Sequence, residues 1–184
     1  MTATSCAAWA LITLAFALGT AALLRRRRVA RDDRATRAGR PQDLIDAELI
    51  YLEKRFEVTK PVRLSARLDR AYRKRSGLIV LAELKTRTVS RAFLSDVIQL
   101  SAQKLALEHK TGQAVAQHGY VVAQTPNGVR EAHRVQLISE EAVVELVRRR
   151  EAILAGRISL RPAASTTVCR TCAYQKICPD RHGR

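Results

Sequence analysis

Residues 78–85 read LIVLAELK, an apolar run ending in charge; before it, residues 62–72 (VRLSARLDRAY) alternate with period two, and RKRSG at 73–77 separates the two segments. Period-two alternation marks a strand with one wet face, and a short continuous apolar run marks a strand buried on both faces. The charged and Gly-containing stretch between them closes a hairpin. This hairpin commits the chain to a sheet with a buried strand, and it carries acids where strands seldom have them. Asp69 and Glu83 are equidistant from Ser76, so a tight hairpin sets them opposite one another, with Cβ atoms ~5 Å apart. Lys85 follows Glu83 by two residues and shares its face of the strand. Two carboxylates and an ammonium thus converge at the end of a buried strand.

The flanking segments have their own periods. Residues 43–56 (DLIDAELIYLEKRF) place Leu44, Leu49, Leu52 and Phe56 near helical spacing with acids on the other side, which predicts a first helix. Residues 90–110 read as a long helix with Phe93, Leu94, Val97, Ile98 and Leu105 toward a core, and Gly112 lies just past its end. Residues 117–124 and 132–138 read as strands around the turn Pro126-Asn127-Gly128. Ser139 caps a last helix with Glu140 and Glu141 in its first turn, where the helix dipole favours them, and Arg148, Arg149 and Arg150 are expected at its end. The predicted order is helix, strand, strand, helix, strand, strand, helix.

The ends differ from this middle. The first 24 residues carry no charged side chain, and residues 5–24 are about the length that spans a hydrocarbon core as a helix before Arg25, Arg26, Arg27 and Arg28 stop it. A secretory signal would carry its positive charge before the apolar run, so residues 1–24 are expected to be a retained transmembrane anchor. The arginines then stay inside, which puts the rest of the chain in the cytoplasm as a single-pass protein of the inner membrane. Residues 25–40 hold eight Arg and two Asp, a linker of net +6 suited to anionic headgroups. The whole chain of 184 residues carries +16, so +10 belongs to the remainder. That remainder has room for one domain of roughly 100 to 150 residues, expected over residues 41–160 and followed by a Cys-rich tail over residues 161–184. With 47% apolar residues, 8 Gly and 5 Pro the chain is neither disordered nor fibrous.

A carboxylate pair beside a lysine is what phosphodiester hydrolysis asks for. Oxygen ligands hold Mg²⁺ or Mn²⁺, the ion polarises the phosphate and acidifies a bound water, and a lysine orients that water or offsets developing charge. A Glu-x-Lys triplet alone is common, and Glu108-His109-Lys110 is a second instance at the exposed end of a helix. Glu83-Leu84-Lys85 is set apart by the apolar strand it ends and by its acid-bearing partner strand. Gln99 and Gln103, four apart on the following helix, project from one side; they look back at the strand end or lie on a solvated face.

Asp69, then Glu83-Leu84-Lys85, then Gln99-Leu100-Ser101-Ala102-Gln103 resemble the D, ExK and QxxxY motifs of the PD-(D/E)XK nuclease superfamily, in particular its RecB-like branch. The resemblance covers residues 43–178. It implies an α/β, restriction-endonuclease-like core with a mixed central sheet flanked by helices. It also implies Asp69 and Glu83 as metal ligands, with the Leu84 carbonyl as a further oxygen, Lys85 as the catalytic lysine and Gln99 as a substrate support. Gln103 stands where that branch has Tyr, and no His precedes His109, so the histidine ligand of many members is missing; Glu48 or Glu53 is the expected substitute.

The tail, VCRTCAYQKICPD, gives C-x₂-C-x₅-C through Cys169, Cys172 and Cys178. Close thiols in a cytoplasmic chain suggest a metal before a disulfide. The tail resembles that of iron–sulfur members of the same branch, including the CRISPR-associated RecB-like exonucleases, which implies a [4Fe–4S] cluster whose fourth ligand comes from outside, since the one upstream cysteine, Cys6, lies in the expected span; His182 with the three cysteines suits zinc instead, and a vestigial tail without metal is the third reading. His118 and His133 stand alone on predicted strands and are expected to be structural or exposed rather than ligands. The expected function is a membrane-anchored, Mg²⁺-dependent nuclease with DNA as its partner. Its rivals are a catalytically degenerate nucleic-acid-binding or scaffold protein of the same fold, and a zinc module for RNA built on the tail.

Overall fold

The computed structural model describes Thr20, residues 40–159 and 166–170, Cys172 and Cys178. The chain divides into two compact units, residues 1–143 and 144–184. After a 3-10 turn at Gln42–Leu44 come strands β1 (Glu48–Val58), β2 (Leu64–Arg73) and β3 (Ile79–Thr86), helix α1 (Leu94–Thr111), strands β4 (Val115–Gln124) and β5 (Arg130–Gln136), and helices α2 (Glu140–Leu154) and α3 (Thr166–Arg170). The strands form one sheet in the order β1-β2-β3-β4-β5. The β3–β4 pair is parallel and the other three are antiparallel, so the sheet is mixed as expected. A parallel pair cannot be joined by a tight turn, and α1 supplies the crossover.

The sheet has two apolar faces. On the α1 side Phe56, Leu68, Ala71, Ile79, Leu81 and Val121 pack with Leu100 and Leu107 of the helix. On the other, Tyr72, Val80, Ala82, Ala116 and Tyr120 pack with Leu44. Each core leucine buried this way contributes about 1.5–3 kcal/mol. At Gly119, β4 lies close against both β3 and α1: a Cβ there would lie 3.1 Å from the Leu81 carbonyl oxygen and 3.4 Å from a Leu100 methyl. Gly119→Ala is therefore expected to cost about 1–3 kcal/mol through overpacking, measurable as a lowered urea midpoint at unchanged m-value.

The expected first helix is not formed. Residues 48–58 are a strand, antiparallel to β2, and the only helical piece there is the 3-10 turn at Gln42–Leu44. The apolar residues of this segment serve both faces of the sheet: Leu44 and Leu49 join the cluster with Tyr72, while Ile50, Tyr51 and Phe56 join the α1-side cluster. One helical stripe cannot face two layers, whereas a strand with a bulge can, and the register does shift between Leu49 and Tyr51. Helix α1 also differs at its start: Phe93 and Leu94 are exposed, and the buried residues include Asp96, Leu100, Gln103 and Leu107. The last expected helix forms where Ser139 caps it, its Oγ accepting the Ala142 N–H at 3.3 Å. This helix, α2, continues to Leu154, so Arg148, Arg149 and Arg150 lie a turn short of its end rather than at it. Among the described residues no helix is long and apolar enough to cross a membrane; the expected anchor over residues 1–24 and the expected linker over 25–40 fall outside them, apart from Thr20 and Arg40.

One irregularity positions the site. Ala66 and Leu68 of β2 face the α1-side core together with Ala71, whereas Tyr72 faces away. Strict alternation from Leu68 would have turned Tyr72 toward α1, so β2 changes face once, at Asp69 and Arg70. β1 is irregular at the same level, where Glu53 takes φ of 47° and the pairing passes from Leu52–Arg70 to Lys54–Leu68 without a Glu53–Asp69 rung. A left-handed non-glycine residue inside a strand is uncommon, and such kinks re-aim neighbouring side chains. Here the re-aimed residue is Asp69.

Candidate active site

The β2–β3 ladder is regular from Arg73–Ile79 to Arg70–Ala82. The next position of that register sets Asp69 opposite Glu83, as the numbering about Ser76 requires. Here the carboxylate replaces the backbone rung, Asp69 Oδ2 accepting the Leu84 N–H at 3.0 Å. Glu83 follows Ile79 and Leu81 on the face that α1 covers, and its side chain is only 4% exposed. A buried carboxylate costs several kcal/mol unless its oxygens are satisfied, and Glu83 is satisfied from three sides. Lys85 Nζ lies 2.8 Å from Oε1, and Gln99 Nε2 donates to the same oxygen at 2.6 Å. Gln103 Nε2 donates to Oε2 at 2.8 Å and to the Arg67 carbonyl at 2.9 Å. Lys85 in turn donates to Gln99 Oε1 at 2.8 Å. With its oxygen on an ammonium and its nitrogen on a carboxylate, the Gln99 amide has one workable orientation.

Asp69, Glu83, Lys85 and Gln99 are thus brought together, and the two glutamines look back at the strand end. Gln103 is 1% exposed and takes part in the site. Its one amide nitrogen supplies two N–H donors, one to Glu83 and one to the Arg67 carbonyl on β2. Burial, reinforced by the neighbouring Glu83 carboxylate, pushes the Asp69 carboxyl above the ordinary range, although the Leu84 N–H, Lys85 and Arg70 pull it down. The two carboxylates also keep acceptor capacity: of about four lone-pair sites each, Asp69 uses one and Glu83 three. Hard oxygen donors from one or two carboxylates suit Mg²⁺, which retains several waters. The donor set fits such an ion.

Sequence reasoning missed Arg87, just past β3. It grips Asp96 of α1 with two bonds of 3.0 Å, and Asp96 Oδ2 accepts the Phe93 N–H at 2.9 Å, closing the helix start. This clamp fixes the first turn of α1, and hence Gln99 one turn on. Burial pushes the Asp96 carboxyl up, but Arg87 and the Phe93 N–H outweigh it and leave it below the ordinary range. A depressed carboxyl contributes stability that is complete above its unfolded pKa and is lost as pH falls through the folded value. Asp96→Asn is accordingly expected to cost about 2 kcal/mol near neutrality and progressively less in acid, checked by urea unfolding at both pH values.

The family model for the PD-(D/E)XK nuclease superfamily matches residues 7–179. The chain belongs to this superfamily. Members of the PD-(D/E)XK superfamily generally use divalent ions such as Mg²⁺ or Mn²⁺, in keeping with the oxygen donors described above. Among solved structures, SSO0001 shares 19% identity and a TM-score of 0.50, over 88% of this chain and 71% of that one, a likeness of fold. A Eubacterium rectale protein described as a candidate exonuclease shares 11% identity at a TM-score of 0.39, over 80% of this chain and 63% of its own. No curated protein gives a significant match.

The other candidates take structural places. Glu53 is exposed and ion-paired with Arg67, and Glu48 opens β1 opposite Arg73. Among the described residues no three His, Cys, Asp or Glu side chains are grouped to hold a metal ion, so neither glutamate joins Asp69 and Glu83 as a third ligand. Glu108 bonds Lys104 and the Val115 N–H, the helix-end role expected of the second Glu-x-Lys triplet. His133 Nε2 lies 2.9 Å from Ser90 Oγ, and His118 sits on β4 with 4.0 Å to Asp43. Cys169, Cys172 and Cys178 are free thiols and do not form a ligand group among the described residues; His182 lies outside them.

Proposed function

We propose that the chain is a divalent-metal-dependent nuclease of the RecB-like branch that hydrolyses phosphodiester bonds in DNA. The observation that carries this is the buried Glu83 carboxylate, held by Lys85, Gln99 and Gln103 opposite Asp69. Asp69 and Glu83, with the Leu84 carbonyl, are the residues that would hold Mg²⁺ or Mn²⁺. When bound, the ion supplies Lewis acidity at the phosphate and acidifies a water. Lys85, fixed between Glu83 and Gln99, is placed to orient that water and to offset the charge that grows on the phosphate oxygens. Gln99 orients the lysine through its oxygen and supports the substrate side of the site.

On the sequence grounds given above, residues 1–24 are proposed as a single-pass anchor in the inner membrane, with the nuclease domain in the cytoplasm. The C-x₂-C-x₅-C spacing supports a metal on Cys169, Cys172 and Cys178, either [4Fe–4S] or zinc, to be told apart by metal content and the visible spectrum of anaerobically purified protein.

The deciding assay incubates the 184-residue chain with single- and double-stranded DNA and RNA, each with Mg²⁺, Mn²⁺ or EDTA. DNA cleavage is expected with Mg²⁺ or Mn²⁺, is abolished by EDTA and returns when the ion is restored. Salt-sensitive binding without cleavage under any divalent ion would establish the degenerate scaffold instead.

A further inference from the structure

The loop that leaves the site after Lys85 carries apolar side chains in the open. Between the end of β3 at Thr86 and the start of α1 at Leu94, Val89 is 54% exposed and Phe93 37%, and Leu94 itself is 70% exposed. The loop is fixed from several sides. The Arg87 N–H donates to the Gln124 carbonyl of β4 at 3.0 Å, and the Arg87 guanidinium donates to Asp96 and, at 3.1 Å, to the Arg91 carbonyl. Ser90 Oγ donates to Glu131 at 2.6 Å and lies 2.9 Å from His133 Nε2, both on β5, while Ala92 packs against the α1-side core. A fixed loop that keeps a phenylalanine at the surface forgoes the burial the ring would otherwise contribute. Neighbouring apolar side chains exposed on a loop that a rigid sheet positions mark a surface for a partner.

The ring lies among cations. The guanidinium carbon of Arg87 is 4.9 Å from its centre and that of Arg91 is 4.4 Å away. Arg87 is already bound to Asp96 and steadies the ring, whereas Arg91 is exposed. An aromatic face and a guanidinium plane are the side-chain surfaces on which an unpaired base stacks, and positive charge there suits the phosphates on either side of that base. A base inside a duplex has both faces covered by its neighbours and cannot use them. The position also fits. Phe93 precedes Gln99 by six residues, about 9 Å along the helix axis or about three stacked nucleotides at roughly 3.4 Å each, and Gln99 accepts from Lys85 at 2.8 Å. We infer that Phe93 and Arg91 form a stacking site for an unpaired base of the substrate strand, a few nucleotides from the phosphate being cleaved. The inference deepens the nuclease reading and rests on it for the identity of the ligand.

The test binds labelled DNA to the 184-residue chain in EDTA, so that nothing is cleaved, and compares Phe93→Leu, Phe93→Trp and Arg91→Ala with the unaltered protein. Arg87 and Asp96 are left intact because they position α1, and thermal melts check the fold of each variant. Phe93→Leu is expected to bind a short single-stranded thymidine oligonucleotide about tenfold more weakly and Arg91→Ala about threefold, with duplex binding unchanged and Phe93→Trp restoring affinity. An abasic strand of equal length and charge then removes every base. The unaltered chain is expected to prefer the thymidine strand, and Phe93→Leu to shrink that preference about tenfold, a difference that a merely structural residue would not produce. Arg91 is exposed, so Arg91→Ala tests the site independently of any change in fold at Phe93. Variants at both positions that keep the full base preference overturn the stacking site. So does a Phe93→Leu protein whose only loss is self-association in sedimentation, or binding to anionic-lipid vesicles, which would assign the patch to a second copy or to a membrane. A chain that cleaves no nucleic acid with Mg²⁺ or Mn²⁺ yet keeps the Phe93-dependent base preference overturns the nuclease reading and not the stacking site.

Discussion

Glu83→Gln and Lys85→Ala are each expected to lower metal-dependent DNA cleavage by about 10³-fold, equivalent to about 4 kcal/mol of transition-state stabilisation. The two should fail differently. Glu83→Gln keeps the shape of the side chain and removes the charge that faces Asp69, so protection of the fold by Mn²⁺ is expected to disappear along with turnover. Lys85→Ala leaves both carboxylates in place and frees Oε1 of Glu83 from its ammonium partner, so Mn²⁺ protection is expected to persist or strengthen while cleavage is lost. Thermal melts with and without Mn²⁺, run beside the cleavage assay, separate the two effects. Turnover at the unaltered rate in either variant would contradict the assignment of the site.

Gln103→Leu is expected to be the most damaging change on α1. The two side chains are similar in volume, so the loss is one of donors. Without the amide, Glu83 Oε2 and the Arg67 carbonyl lose contacts of 2.8 and 2.9 Å in a place that water scarcely reaches. Leaving a buried carboxylate oxygen and a carbonyl under-satisfied costs about 2–4 kcal/mol, and a carboxylate freed from its support binds metal less well, by about 10–100-fold in activity. Gln99→Leu is a useful companion, because Gln99 is half-buried and serves Lys85 as well as Glu83; its cost should fall on turnover more than on stability. A Gln103→Leu protein as stable and active as the unaltered chain would show that the buried amide is only a filler.

Much of this site was legible in the residue order. The equal spacing of Asp69 and Glu83 about Ser76 anticipates their opposition, because an antiparallel hairpin pairs residues whose numbers have a constant sum, and the observed register keeps that sum. Period two places Lys85 with Glu83, and period 3.6 places Gln99 with Gln103. Other parts were not legible. Residues 43–56 satisfy a helical spacing and a bulged strand equally well, and the choice falls to the unpaired edge of β2 and to the two core faces that the segment must fill. Arg87 reads as one more surface charge until α1 brings Asp96 against it.

The sequence by itself determined the local periods: the hairpin, the buried strand ending in Glu83 and Lys85, the helix after it and the glutamine pair. These depend on neighbours a few residues apart, whose geometry the backbone sets. Only the tertiary structure decided that the first segment is a strand, that Gln103 supports Glu83 as well as β2, and that Phe93 stays at the surface beside Arg87 and Arg91. Those outcomes depend on which surfaces are left to cover and which charges are left to satisfy once the sheet has formed, and both are set by contacts between residues distant in the chain.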